Sequence, residues 1–77
     1  MRSEKELFKL ATDMVFVENK LNETYDELVQ EELNQEAVRI RNTLLRKNYD
    51  VNTFLYYKDL YKNMTVAEYY KFIDSLE

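Results

Sequence analysis

The sequence contains no glycine, proline, cysteine, histidine or tryptophan. Without cysteine it forms no disulfide, no thiolate nucleophile and no zinc–sulfur site. Without histidine it lacks the usual general base and the commonest ligand of transition metals. Without glycine it lacks the phosphate-binding and calcium-binding loops that need backbone at positive φ. We therefore expect a protein that is not an enzyme, with no catalytic residues, no cofactor and no metal site.

The length of 77 residues predicts one domain spanning 1–77. A monomer of this size buries only roughly 63% of the surface that its unfolded chain exposes. Self-association would enlarge such a thin core.

Fifteen acidic and eleven basic residues give a net charge of −4, which argues against a general polyanion binder. The charge is uneven: residues 1–36 hold ten acids and four bases, whereas 37–77 hold five acids and seven bases. Eight of the eleven aromatic residues lie in 49–77. The chain thus has an acidic half and a mildly basic, tyrosine-rich half.

No apolar run approaches the ~20 residues that span a bilayer, and the charged start leads into no signal-peptide segment. These features predict a cytoplasmic protein without membrane contact. The Lys-, Asn- and Tyr-rich composition would suit an AT-rich bacterial or phage genome.

Good helix formers dominate, and no segment shows the alternation typical of a strand. We predict an all-α bundle of three or four helices at about 4–22, 25–47, 51–62 and 66–76. This is a long helical pair followed by a short C-terminal helical hairpin, and we expect it to self-associate. Whether 4–47 forms one helix or two stays open.

Three matches to the S/T-x-x-E capping box predict helix starts. They are Ser3 with Glu6, Thr24 with Glu27, and Thr65 with Glu68. The Thr24 match is ambiguous, because this segment fits the inside of one continuous helix equally well. The segment 48–50 is the clearest interior break, and either Asp50 or Asn52 is suited to cap the third helix.

Apolar residues recur at helical spacing in each predicted helix. The stripe of the first helix is Leu7, Leu10, Met14, Val17 and Leu21, and Leu28 continues its register. The stripe of the second helix is Val29, Leu33, Ala37, Ile40 and Leu44. The short helices carry Val51, Phe54, Leu55, Leu60 and Tyr61, then Val66, Tyr69, Tyr70, Phe72 and Ile73.

The first helix also carries apolar residues outside its stripe: Phe8, Ala11, Val15 and Phe16. This surplus predicts that either a second surface is buried or some aromatic residues stay exposed. Because symmetric dimers are the commonest oligomers, we expect a homodimer.

Aromatic residues lie beside lysines in the C-terminal half, an arrangement that suits core packing, a protein interface or base stacking. The interface candidates are Tyr56, Tyr57, Tyr61, Tyr69, Tyr70 and Phe16. Consecutive residues on a helix point about 100° apart. At least one tyrosine of each consecutive pair should therefore lie at the edge of the core or outside it.

A basic cluster offers a site for phosphate or for an acidic partner. Its candidates are Arg39, Arg41, Arg46 and Lys47. The alternative is that these cations complement the negative end of a helix dipole. The acidic run over 23–36 is interpreted as a solvated face, with docking of a basic partner as the alternative.

Taken together, these features favour a small non-catalytic regulator that binds another protein, of the inhibitor, anti-activator or adaptor type. The alternative is a nucleic-acid-binding regulator that uses residues 37–77. A second alternative is a structural subunit of a larger assembly. The sequence does not name the partner or the biological process, nor does it separate a different protein from a second copy of this chain.

Overall fold

The computed structural model describes residues 3–76, and in this range it contains four helices and no strand. They are α1 (Glu4–Glu23), α2 (Glu27–Arg46), α3 (Val51–Lys62) and α4 (Val66–Ser75). The predicted all-α class is confirmed, and the predicted bounds agree within two residues. Residues 4–47 form two helices, separated at 24–26.

Two of the predicted helix starts are confirmed by side-chain caps. The Ser3 hydroxyl accepts a hydrogen bond of 3.0 Å from the Glu6 amide, which caps α1. At α4 the Thr65 hydroxyl accepts from the Glu68 amide, and the Glu68 carboxylate accepts from the Thr65 amide at 2.8 Å. This reciprocal box satisfies two amide groups that a helix start leaves without partners.

The predicted cap at Thr24 is wrong, because Asp26 caps α2 instead. The Asp26 carboxylate accepts from the amides of Leu28 and Val29 at 2.9 and 3.3 Å. Thr24 is the C-terminal cap of α1. Aspartate is a stronger N-cap than threonine, so the carboxylate two residues further along sets the start of α2.

In the turn between α2 and α3, asparagine occupies the position after the helix where glycine is most common. Asn48 has φ of 56°, the left-handed region that asparagine tolerates better than most residues. Its amide donates to the Leu45 carbonyl and the Tyr49 amide donates to the Leu44 carbonyl, the pattern of a Schellman motif. Asp50 then caps α3 through the Thr53 amide, as one of the two predicted caps. The predicted break at 48–50 is therefore confirmed.

Helix α1 is the centre of the molecule. Its contacts with α3 and α2 are the most extensive between helices, whereas α2 and α3 contact each other little. Helix α4 packs through its aromatic residues against Phe8 of α1 and Tyr61 of α3. The C-terminal pair thus lies on α1, and a groove remains between α2 and α3.

The surplus apolar residues of α1 lie on a second buried surface, as predicted, but residues of the same chain cover it, so it no longer supports the expected homodimer. Phe8 and Ala11 are completely buried, and Val15 is buried as well. Phe8 and Val15 lie beside residues of α3 and α4, while Leu7 and Met14 of the predicted stripe belong to the same buried core as Phe8 and Ala11. Only Phe16, at 58% exposure, remains outside the core.

Several residues that the stripes assign to the core are exposed instead. They are Leu28, Val29, Val51, Leu55, Val66 and Tyr70. Leu28 does not continue the α1 register, because α1 ends at Glu23 and Leu28 belongs to α2. In α3 the core positions are Phe54 and Tyr57, and α4 contributes half-buried rather than buried residues.

Polar contacts hold the start of α1 against the end of α2, the turn that follows it and the middle of α3. The Lys47 ammonium donates to both Glu6 carboxylate oxygens, and the Tyr49 hydroxyl donates to the same carboxylate. The Tyr57 hydroxyl donates to Glu4 at 2.6 Å. These contacts join residues more than 40 positions apart and fix the end of the bundle.

The molecule is flat, with principal extents of 38, 30 and 17 Å. Its Cα radius of gyration is 13.1 Å, whereas a compact chain of this length has about 11.5 Å. Its accessible surface is 5788 Å², against roughly 5,000 Å² for a folded monomer of this mass. A sizeable part of its apolar surface is therefore open to solvent. Within residues 3–76, no helix has the length and apolarity needed to span a bilayer.

Candidate functional site

Phe8 lies at the centre of an aromatic cluster that includes three of the tyrosines predicted as interface candidates. Its ring centroid lies 5.5 Å from that of Tyr57, 6.4 Å from Tyr61, 5.8 Å from Tyr69 and 4.8 Å from Phe72. Most of these contacts are edge-to-face, the arrangement that aromatic quadrupoles favour. Tyr57 is only 8% exposed, whereas Tyr61 and Tyr69 are half-buried. These three rings pack in or against the core.

The pKa values of the clustered tyrosines follow from this burial. Burial, together with the hydrogen bond to the Glu4 carboxylate, raises the pKa of Tyr57 to about 12. Burial raises the pKa of Tyr69 as well, with nearby Tyr61 adding to the effect. The Tyr57 hydroxyl therefore stays protonated at neutral pH and donates its hydrogen bond to Glu4.

The other member of each tyrosine pair is exposed, which confirms the prediction from consecutive spacing. Tyr56 and Tyr70 are each 60% exposed. The Tyr56 ring lies 5.9 Å from that of Tyr57, and the Tyr70 ring lies 5.3 Å from that of Tyr69. Each exposed ring thus rests on a ring that packs in or against the core.

Tyr70 borders an open groove of about 680 Å³ between α1, the α3–α4 turn and α4. We call this the Tyr70 groove, and the residues that matter most in it are Val15, Asn19, Lys62, Met64, Val66 and Tyr70. Val66 is strongly exposed, and Lys62 forms no ion pair with any of residues 3–76. The groove therefore combines apolar side chains with an uncompensated positive charge.

Phe16 lies on the outward face of α1. The Lys20 ammonium lies 5.6 Å from the centroid of the Phe16 ring, a cation–π contact one helical turn away. Phe16 does not line the Tyr70 groove. Of the predicted interface candidates, the groove brings together Tyr61, Tyr69 and Tyr70.

The four basic candidates do not form one patch. Lys47 is engaged with Glu6, and Arg39 pairs with Glu36 at 2.8 Å. Arg39 and Arg41 are two positions apart on α2, so they point about 200° apart around its axis. Arg46 lies in the last turn of α2, where a cation complements the helix dipole. This distribution weakens the nucleic-acid alternative.

The acidic run of α1 and α2 is largely exposed. Within the described part of the chain, no three carboxylates lie close enough to hold a metal ion. Burial raises the pKa of Asp13 on α1, an effect that Lys9 opposes and Glu36 reinforces. The other carboxylates with shifted pKa values, Glu6, Asp50 and Glu68, have them lowered by hydrogen bonds that cap or connect helices.

A second groove, which the sequence analysis missed, lies between α2 and α3 with α1 as its floor. Its volume is about 550 Å³, and we call it the α2–α3 groove. Its apolar members include Met14, Leu44, Leu45, Val51, Phe54 and Leu55. The sequence does contain a sign of this groove in the consecutive pairs Leu44-Leu45 and Phe54-Leu55. Because both members of such a pair cannot face one core, one apolar side chain of each pair is left for another surface.

Comparisons of the chain with protein-family models, with curated proteins and with solved structures find no match to any of them.

Proposed function

We propose that this chain is a small, non-catalytic, cytoplasmic regulatory protein that acts by binding another protein at the Tyr70 groove. The observation that carries this proposal is the exposed Tyr70 ring, which rests on Tyr69 at the edge of a groove lined by both apolar and polar side chains. Tyrosine is enriched at protein interfaces because a rigid amphipathic ring gives contact area at low entropic cost.

The chemistry of the groove suggests what the partner presents. Val66 and Met64 suit an apolar side chain, and Lys62 suits a neighbouring carboxylate. We therefore propose a partner segment with an apolar anchor flanked by acidic residues.

The non-catalytic part of the proposal is supported by how three of the groups with shifted pKa values are used. Glu6, Tyr49 and Tyr57 are all engaged in hydrogen bonds that join α1 to the end of α2 or to α3. Hydrogen bonds from Lys47 and Tyr49 lower the pKa of Glu6, whereas burial, and then the hydrogen bond to a carboxylate, raises the pKa values of Tyr49 and Tyr57. These shifts thus arise from groups that stabilise the bundle.

Self-association is also part of the proposal. The surplus accessible surface and the exposed Leu45, Val51 and Leu55 support it. Phe8 and Val15 no longer do, since they are buried within one chain.

The test is capture from the native host's lysate by the full-length chain, followed by mass spectrometry, with and without nuclease. We expect one partner to be retained by the wild type and by Tyr25→Ala, and to be lost with Tyr70→Ala and weakened by Lys62→Glu. Tyr25 is a matched control because it is 92% exposed and lies outside the groove.

Thermal unfolding of each variant separates loss of binding from loss of folding. Truncation of an interface anchor often costs 2 kcal/mol or more in binding, whereas an exposed ring contributes little to stability. Retention of the same partner by Tyr70→Ala would overturn the proposal. Capture that depends on intact nucleic acid would favour the nucleic-acid alternative instead.

A further inference from the structure

Helix α2 has a continuous exposed stripe on the side that borders the α2–α3 groove. Its six residues follow alternating spacings of four and three: Glu27, Glu31, Asn34, Val38, Arg41 and Leu45. All six are exposed. We call this set the α2 stripe. Such spacing keeps residues on one face along the whole length of a helix, as in the seam of a coiled coil.

The charge of α2 reverses along its length. Its first ten residues carry four glutamates and no base, and its last ten carry three arginines and no acid. Within the stripe this places Glu31 near one end and Arg41 near the other. Neither forms an ion pair with any of residues 3–76.

A second α2 aligned antiparallel matches this stripe to itself. With a two-fold axis at the level of Glu36, Glu31 of each copy lies level with Arg41 of the other. Val38 then lies level with Asn34, and Leu45 with Glu27. A parallel alignment in register would instead place glutamate beside glutamate and arginine beside arginine, which is repulsive.

We propose that a second copy of this chain docks antiparallel along the α2 stripe, forming a symmetric dimer with two Glu31–Arg41 ion pairs. This proposal rests on the proposed self-association and names its surface. An isologous interface of this kind needs a patch that is complementary to itself, and the order of Glu31 and Arg41 makes the stripe self-complementary in charge.

The apolar end of the α2 stripe fits the same arrangement. Leu45 is 69% exposed, and antiparallel docking brings it against the first turn of α2 in the other copy. Arg41 and Leu45 also border the α2–α3 groove, so the second copy covers one wall of that groove.

The test is a charge swap followed by sedimentation equilibrium of the purified full chain. Glu31→Arg and Arg41→Glu each place like charges opposite one another twice per dimer. We expect each to raise the dimer dissociation constant about tenfold or more. The double variant Glu31→Arg/Arg41→Glu restores opposite charges across the interface, and we expect it to restore the dimer.

Glu32→Arg is the matched control, because it changes the charge equally at the next exposed position but lies off the stripe. We expect it to leave the dimer intact. Helical circular dichroism of every variant shows whether the monomers remain folded. We also expect the wild-type dimer to weaken as salt rises.

A wild-type chain that is monomeric at high micromolar concentration would overturn the proposal. So would a dimer that tolerates both single variants, or a double variant that stays monomeric. A dimer that only Tyr70→Ala disrupts would assign self-association to the Tyr70 groove and overturn the α2 interface. Partner capture is measured separately. A Glu31→Arg variant that is monomeric but still captures the partner would therefore not contradict the proposed regulatory function.

Discussion

The Lys47 ammonium donates hydrogen bonds of 2.9 and 2.7 Å to the two carboxylate oxygens of Glu6. This pair joins the first turn of α1 to the C-terminal cap of α2, across 41 positions of sequence. Lys47 is one of the four residues that the sequence analysis assigns to a basic cluster, and this pair shows where its charge is used. In the folded chain Lys47 is half-buried and neutralised, so it supports the bundle rather than an anionic ligand.

Glu6 should make stability depend on pH in the acid range. Hydrogen bonds from Lys47 and Tyr49 lower its pKa in the folded chain below the ordinary 4.5. The stabilisation is therefore present above pH 4.5 and is lost as the pH falls through the lowered value. We expect urea unfolding to show a gap between wild type and Glu6→Gln at pH 7 that narrows by pH 3.

A double-variant cycle checks the cause of that gap. Once Lys47→Met has removed the main donor, Glu6→Gln should cost less than it does in the wild type. A gap that stays constant from pH 7 to pH 3 would contradict the assigned pairing.

Phe8→Ala should be far more damaging than Phe16→Ala, although both rings lie on α1. Phe8 is completely buried among four aromatic neighbours, so its truncation should cost about 3–5 kcal/mol of unfolding free energy. Phe16 is mostly exposed, so the matched change should stay within about 0.5 kcal/mol. Chemical denaturation measures both, and similar losses would show that the core is misplaced.

Leu44 and Leu45 form a second matched pair on α2. Leu44 is 6% exposed, and Leu44→Ala should cost about 2–5 kcal/mol. Leu45→Ala should leave the stability of the monomer almost unchanged while weakening the dimer, because Leu45 belongs to the α2 stripe. A loss below about 1 kcal/mol for Leu44→Ala would contradict its place in the core.

Nucleic acid binding should be absent at low salt. Arg39 and Arg41 point to different sides of α2, and Arg39 is paired with Glu36. We expect fluorescence anisotropy to detect no binding of single- or double-stranded DNA or RNA. Binding that the double variant Arg39→Ala/Arg41→Ala weakens would contradict this prediction. In that case the slope of log affinity against log salt concentration should flatten by about one unit per lost phosphate contact.

Local features of the fold were predictable from the sequence because their causes are local. The caps at Ser3 and Thr65 depend on residues three positions apart, and the break near Asn48 follows from a residue that tolerates positive φ. The second start was mispredicted for the same kind of local reason, since Asp26 competes better than Thr24 for the free amides of α2.

The sequence also determined that one ring of each consecutive tyrosine pair lies at the edge of the core or outside, because a helix separates neighbours by about 100°. Only the tertiary structure decided that Tyr56 and Tyr70 are the exposed members. That outcome depends on how α3 and α4 rotate about their own axes when they pack around Phe8.

The central place of α1 was likewise decided only by tertiary packing. An apolar residue off the main stripe, such as Phe8 or Val15, suits either a second surface within the chain or an interface between chains. The choice depends on whether another helix of the same chain covers it, which helical spacing does not encode. Because α3 and α4 cover that side of α1, the chain leaves Leu45, Val51 and Leu55 exposed instead.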